Sequence, residues 1–157
     1  MTTPPVQPLT AGGTVLRRKL GLAAVSAGLL AILFLAGTVI GVLIARSTTG
    51  LGTLLAVAYL AGLVLAIGVW TTARAARRAI APDGIHVTPA RRARAAANRY
   101  TRMSRIAAAL VAVLAIIFAF QQGDISWAFI GLLCAAPLIS LATVARGVAR
   151  RLARHLP

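Results

Sequence analysis

Four apolar segments without Asp, Glu, Lys, Arg or His constrain this chain more than any other feature. They cover residues 20–45, 51–70, 106–120 and 125–145. A transmembrane helix needs about 20 predominantly apolar residues to cross about 30 Å of hydrocarbon. The third segment is the shortest, and needs its flanking polar residues near the two interfaces to reach across. The chain is therefore predicted to cross a membrane four times.

The composition favours helices over a transmembrane barrel. Hydrophobic residues make up 59% of the 157 residues and the mean hydropathy is +0.87, whereas soluble domains are usually about 45–50% apolar. Aromatic residues supply only 5%, and small residues, which allow close helix packing in lipid, are abundant. We expect an all-α polytopic integral membrane protein, in which two antiparallel transmembrane hairpins are joined by a basic cytoplasmic connector.

Composition also divides the chain into four parts. Residues 1–15 are rich in Thr, Pro and Gly and are expected to form a flexible cytoplasmic tail. Residues 16–81 are expected to form the first transmembrane hairpin with a cytoplasmic helical extension. Residues 82–104 form the cytoplasmic connector with an amphipathic basic helix. Residues 105–157 form the second hairpin and a basic C-terminal tail.

The basic residues predict the orientation. The chain has 17 Lys and Arg residues, and in the predicted topology all of them except Arg46 lie on one side of the membrane. By the positive-inside rule, both termini and the connector are cytoplasmic. Basic charge is carried almost entirely by Arg, with Lys19 the one lysine, as is typical of a GC-rich bacterial genome. The expected location is the bacterial plasma (inner) membrane, crossed several times.

The stretch from residue 72 to residue 105, which includes the connector and its two flanks, holds nine arginines. The second helix is expected to extend through it as far as Pro82-Asp83-Gly84. Thr88-Pro89 predicts a new helix start, with the threonine hydroxyl as a cap. Because no proline or glycine follows until after residue 120, this helix can continue into the third span. Its arginines share one face and its alanines the other, which suits close packing on another helix, including one of a partner protein.

The arginine clusters are the candidate contacts with a partner or with lipid headgroups. Determining topology is one sufficient role for them, and contact with anionic lipid or with an acidic protein surface is the functional alternative. Nucleic acid is disfavoured, because Tyr100 is the one aromatic residue among them and the cluster begins at the membrane surface. The candidate contact residues are Arg74, Arg77, Arg78, Arg91, Arg92, Arg99 and Arg102.

Small residues recur at intervals of four along the predicted helices. In lipid, such stripes allow helix backbones to approach closely and gain dispersion contacts. The spacing does not specify whether a stripe packs within the chain or against a partner. The predicted packing residues are Gly37, Gly41, Ala58, Gly62, Ala66, Ala93, Ala97, Gly131 and Ala135.

Catalytic and metal-binding patterns are lacking in the sequence. Cys134 is the one cysteine and lies in an apolar segment, while His86 near Asp83 is the one suggestive pair of polar side chains. We therefore expect neither an enzyme nor a bound cofactor. Residues 72–78 resemble residues 145–151, each following the second span of its hairpin, which raises the hypothesis of a duplicated hairpin.

Two functions remain open. The first is a non-catalytic accessory subunit that packs against a larger bacterial membrane complex, most plausibly a lipid or solute transporter, or else a respiratory complex. The alternative is a small homo-oligomeric membrane transporter or lipid-binding module. The apolar segments lack the ionisable residue that ion-coupled transporters usually need, which favours the accessory subunit.

Overall fold

Four long helices dominate the structure, a computed structural model that describes residues 6–7, 13–46, 49–81 and 84–156. All four are long and apolar enough to cross a membrane. The prediction of an all-α protein with four membrane spans is thereby confirmed. The helices are α1 (Gly13–Ala45), α2 (Thr49–Arg78), α3 (Val87–Gln122) and α4 (Ser126–Ala153).

The helices pack as two hairpins. Helix α1 lies along α2, and α3 lies along α4. The hairpins meet mainly where α2 contacts α3 and α4, and α1 also touches α4. Of the turn predicted between α1 and α2, residues 47–48 fall outside the described part of the chain. The fold is therefore a four-helix bundle in which α2 is central to the contact between hairpins.

The turn between α3 and α4 is built by Gly123 and Asp124. Gly123 adopts a left-handed conformation with φ 65°, and its N–H donates to the carbonyl of Ala119. Glycine suits this position because it has no Cβ to clash. The Asp124 carboxylate accepts a hydrogen bond from the N–H of Ser126 at 2.9 Å. Hydrogen bonding by the Ser126 side chain, and then by this N–H, lowers the pKa of Asp124. The turn thus reverses the chain within a few residues.

Helix α3 continues from the connector into the third span without interruption. Its 36 residues correspond to about 54 Å at 1.5 Å per residue. The helix begins at Val87 after His86, and no side chain caps it, so the prediction that Thr88 caps the helix is wrong. Pro89 nevertheless lies in the first turn, where its missing N–H would have no partner within the helix.

A small antiparallel sheet closes the connector end of the bundle. It contains β1 (Val6–Gln7), β2 (Ile80–Ala81) and β3 (Gly84–His86) in the order β1-β3-β2. Helix α2 therefore ends at Arg78, earlier than predicted, because the residues after it pair with β3. Strand β1 lies within the tail that was predicted to be flexible, and the rest of residues 1–12 lies outside the described residues.

Buried side chains form two cores along the bundle. The first lies where the sheet meets the beginnings of α1 and α3 and the ends of α2 and α4, and we call it the basic-end core. It contains Leu16, Leu20, Ala23, Ala24, Ala73, Ala76, Ala79, Ile80, Ile85, Val87, Ala90, Ala93, Ala97, Val148, Ala149, Leu152 and Leu156. The second lies between the apolar segments, and we call it the membrane core. It contains Ala27, Phe34, Ala58, Leu65, Ala66, Val69, Ala108, Val111, Cys134, Ala135, Leu138, Leu141 and Ala145.

Candidate interaction surface

The seven predicted contact arginines are all solvent-exposed. Arg74, Arg77, Arg78, Arg91 and Arg92 lie at the end of the bundle that holds the basic-end core. Arg99 and Arg102 lie farther along α3, on either side of Tyr100, which packs against the membrane core. The chain has two acidic residues for its 17 basic ones. Of these two, Asp124 lies in the α3–α4 turn, at the other end of the bundle. The arginines are therefore in large excess over carboxylates, and this end of the molecule is complementary to anions.

Trp70 marks the level at which the two cores meet. Its half-buried ring packs against both the basic-end core and the membrane core. The guanidinium carbon of Arg74 lies 4.2 Å from the ring centroid, which is a cation–π contact. Tryptophan prefers the boundary between headgroups and hydrocarbon, where its ring has one apolar and one wet side. The contact arginines beyond Trp70 in α2 thus extend to the water side of that boundary.

Glycines in the first hairpin receive aromatic rings from the opposite helix. A Cβ atom added at Gly62 would collide with the ring of Phe34, and one added at Gly37 would collide with Tyr59. The rings of Phe34 and Tyr59 meet edge to face, with their centroids 5.9 Å apart. The stripe containing Gly62 is therefore occupied by this chain's own helix α1.

The other predicted packing residues in the spans also face the interior. A Cβ at Gly41 would lie 2.9 Å from the Cα of Ala56, and one at Gly131 would collide with the Cβ of Ala115. Ala58, Ala66 and Ala135 are buried in the membrane core. These small residues allow the helix backbones to approach closely.

Ala93 and Ala97 lie in the basic-end core and are 5% and 2% exposed. That core also includes residues of α1, α2 and α4. The alanine face of the connector helix is therefore covered by this chain's own helices and not by those of a partner. A partner at this end would therefore have to contact the arginine face instead.

Two contacts between α-helices were missed by sequence reasoning. Gly68 of α2 lies so close to Tyr100 of α3 that an added Cβ would be 2.7 Å from the tyrosine Oη. Gly21 of α1 lies under the Arg77 guanidinium, and a Cβ there would be 3.7 Å from the nearest guanidinium nitrogen. The glycines carried a signal in the sequence, but their partners come from distant segments and could not be identified by spacing.

Polar chemistry inside the bundle is sparse. The buried hydroxyls of Thr72 and Thr101 donate to carbonyls of their own helices, at 2.7 Å and 2.8 Å. The Oγ of Ser104 is buried and has no hydrogen-bond partner in the described part of the chain. Among the residues that the structure describes, no group of three or more His, Cys, Asp or Glu side chains could hold a metal ion.

Comparisons with protein-family models, with characterised proteins and with solved structures give no significant match to this chain. The function must therefore be argued from the chain's own residues.

Proposed function

We propose that this protein is a non-catalytic accessory subunit that packs beside a larger complex in the bacterial plasma membrane. A lipid or solute transporter is the kind of complex we favour, and a respiratory complex is the other candidate. In this proposal both termini and the connector are cytoplasmic, and the arginine face contacts the partner or anionic lipid. No cofactor is needed for such a role.

The observation that carries this proposal is the close packing of apolar side chains in the interior of the bundle. At the level of the spans, aromatic rings pack on glycines, as Phe34 does on Gly62. The other buried residues of the membrane core are aliphatic apart from Cys134. A transporter needs polar or ionisable groups along its path, because a polar substrate must exchange its hydration for protein contacts. A densely packed apolar bundle instead suits a subunit whose contribution is its outer surface.

The alternative is a small homo-oligomeric transporter or lipid-binding module. It is favoured by an apolar groove between α3 and α4 near their connecting turn, with a volume of about 350 Å³. Ile116, Phe129 and Leu132 are among the residues that line it. Such a groove offers contacts to acyl chains or to a second copy of this chain, and the purification experiment below separates the alternatives.

The first experiment tests the orientation by cysteine labelling. In a Cys134→Ala background, a cysteine at the exposed position Gln122 should react with an impermeant thiol reagent added to intact spheroplasts. A cysteine at the exposed position Thr88 should react only after the membrane is permeabilised. The reason is the concentration of basic residues on the side of Thr88. Labelling at position 88 and protection at position 122 in intact cells would reverse the proposed topology.

The second experiment tests the accessory role by purification in mild detergent. The tagged chain should retain a larger membrane protein at a constant ratio. Replacing Arg91, Arg92 and Arg99 with Glu should reduce its recovery by about tenfold, because like charges then face an acidic or anionic partner surface. Protein mass spectrometry and native gel mobility provide the measurement.

A control adds two negative charges at the opposite end of the bundle. Gln121→Glu with Gln122→Glu alters two exposed side chains at the end of α3 and should leave the recovery unchanged. If the wild-type chain purifies only as copies of itself, the accessory role is wrong and the homo-oligomeric alternative replaces it. Equal loss in both variants would show that the arginine face does not select the partner.

A further inference from the structure

A cleft lies between the start of α1 and the end of α2, at the basic end of the bundle. It has a volume of about 610 Å³, within the range of about 300–1,000 Å³ that is usual for ligand sites. It is largely open, and its lining residues include Arg17, Arg18, Gly21, Leu22, Val25 and Arg77. Three cationic side chains and an apolar floor therefore share one concave surface.

The arginines give the cleft a specific chemistry. Arg17 and Arg18 come from the beginning of α1, whose first turn contains no acidic residue. Arg77 comes from the last turn of α2, and its guanidinium lies over Gly21, the lining residue without a side chain. A guanidinium presents N–H donors in a planar fork that matches the oxygens of a phosphate. The chain supplies few carboxylates to compete for these donors, since it has only two acidic residues.

An apolar stripe continues from the cleft along α1 toward the membrane interior. Arg18 and the stripe residues share one helical face, since they follow each other at intervals of three or four. The stripe consists of Leu22, Val25, Leu29 and Ile32, which are 60% to 65% exposed. A free phosphate ion would use only the arginines, whereas a phospholipid would use the arginines and the stripe together.

We propose that this cleft binds the headgroup of an anionic phospholipid. Arg17, Arg18 and Arg77 contact the phosphate, the missing side chain of Gly21 leaves room for the Arg77 guanidinium, and one acyl chain lies along the stripe. Trp70 places the cleft on the water side of the hydrocarbon boundary, where phospholipid phosphates lie. Binding here requires the membrane placement but not the accessory role, so the two can fail separately.

The test is lipid retention by the full-length protein, measured by native mass spectrometry in mild detergent. Phosphatidylglycerol should bind with a Kd at least about tenfold lower than phosphatidylcholine, whose headgroup carries no net charge. Replacing Arg17, Arg18 and Arg77 with Gln should raise the Kd for phosphatidylglycerol about tenfold or more. Gly21→Leu should also raise it several-fold, because it fills the cleft without changing any charge.

The control replaces three exposed arginines with Gln, two in the last turns of α4 at positions 146 and 150 and one directly after it at position 154. It removes the same charge from the same end of the bundle, so the Kd for phosphatidylglycerol should change less than about twofold. Equal losses in the two triple variants would show a general charge effect and overturn the site. Equal retention of phosphatidylcholine and phosphatidylglycerol would overturn it as well. Inorganic phosphate that binds as tightly as phosphatidylglycerol would show an anion site without a lipid.

Discussion

Ala97→Glu is expected to destabilise the folded protein by about 3 to 5 kcal/mol. The larger side chain would have to enter a packed core, and its carboxylate would be buried without an ion-pair partner. Ala97 is 2% exposed and belongs to the basic-end core. For a chain of this length, such a loss lowers the Tm by about 6 to 20 °C. Thermal unfolding of the detergent-purified protein, followed by circular dichroism, measures the effect.

Ala95→Glu is the matched control, since it places the same side chain two residues away on the exposed side of α3. Its effect on the free energy of unfolding should stay within about 0.5 kcal/mol. A normal Tm for Ala97→Glu, combined with loss of a co-purifying protein, would show that Ala97 faces a partner. That result would contradict the burial of this residue within its own chain.

The membrane spans were predictable because length and charge alone determine them. Segments such as 20–45 contain no charged residue, and a chain in lipid must satisfy its backbone hydrogen bonds within each helix. The continuation of α3 from the connector into the third span was also predictable, because no residue from 90 to 120 breaks a helix. Local sequence was sufficient in both cases.

The connector was less predictable because its structure depends on distant segments. Periodicity placed Ala93 and Ala97 on one face of a helix, but nothing local showed that the same chain would cover that face. Strands β2 and β3 contain two and three residues, and such short pairings carry almost no sequence pattern. Helix α2 ends at Arg78 because the residues after it pair with β3. The sequence had suggested a later end, at Pro-Asp-Gly.

The lipid cleft illustrates the same limit for a site. In the sequence, Arg17 and Arg18 directly precede the first apolar segment, and Arg77 is one of nine arginines between residues 72 and 105. Only the packing of α1 against α2 brings Arg77 over Gly21. A charge run thus predicts which side of the membrane a segment occupies, but tertiary contacts decide which of its members share a binding surface.

Gly62→Leu is expected to destabilise the first hairpin by about 3 kcal/mol through overpacking. Phe34 is fully buried, and its ring already occupies the space that a Cβ at Gly62 would need. Because lipid supplies no hydrophobic drive between helices, α1 and α2 depend on this close approach for their dispersion contacts. The loss should appear as a lower Tm in detergent and as faster proteolysis.

Two further variants show whether the cause is this contact. Gly147→Leu makes the same substitution in α4, where a Cβ would meet no atom within 4 Å. It should be neutral or stabilise by up to about 1 kcal/mol, because leucine favours a helix more than glycine does. Adding Phe34→Ala to Gly62→Leu should recover part of the lost stability, since the smaller side chain vacates the space that leucine fills. Additive losses in the double variant, or an unchanged Tm for Gly62→Leu alone, would show that Gly62 does not receive the Phe34 ring.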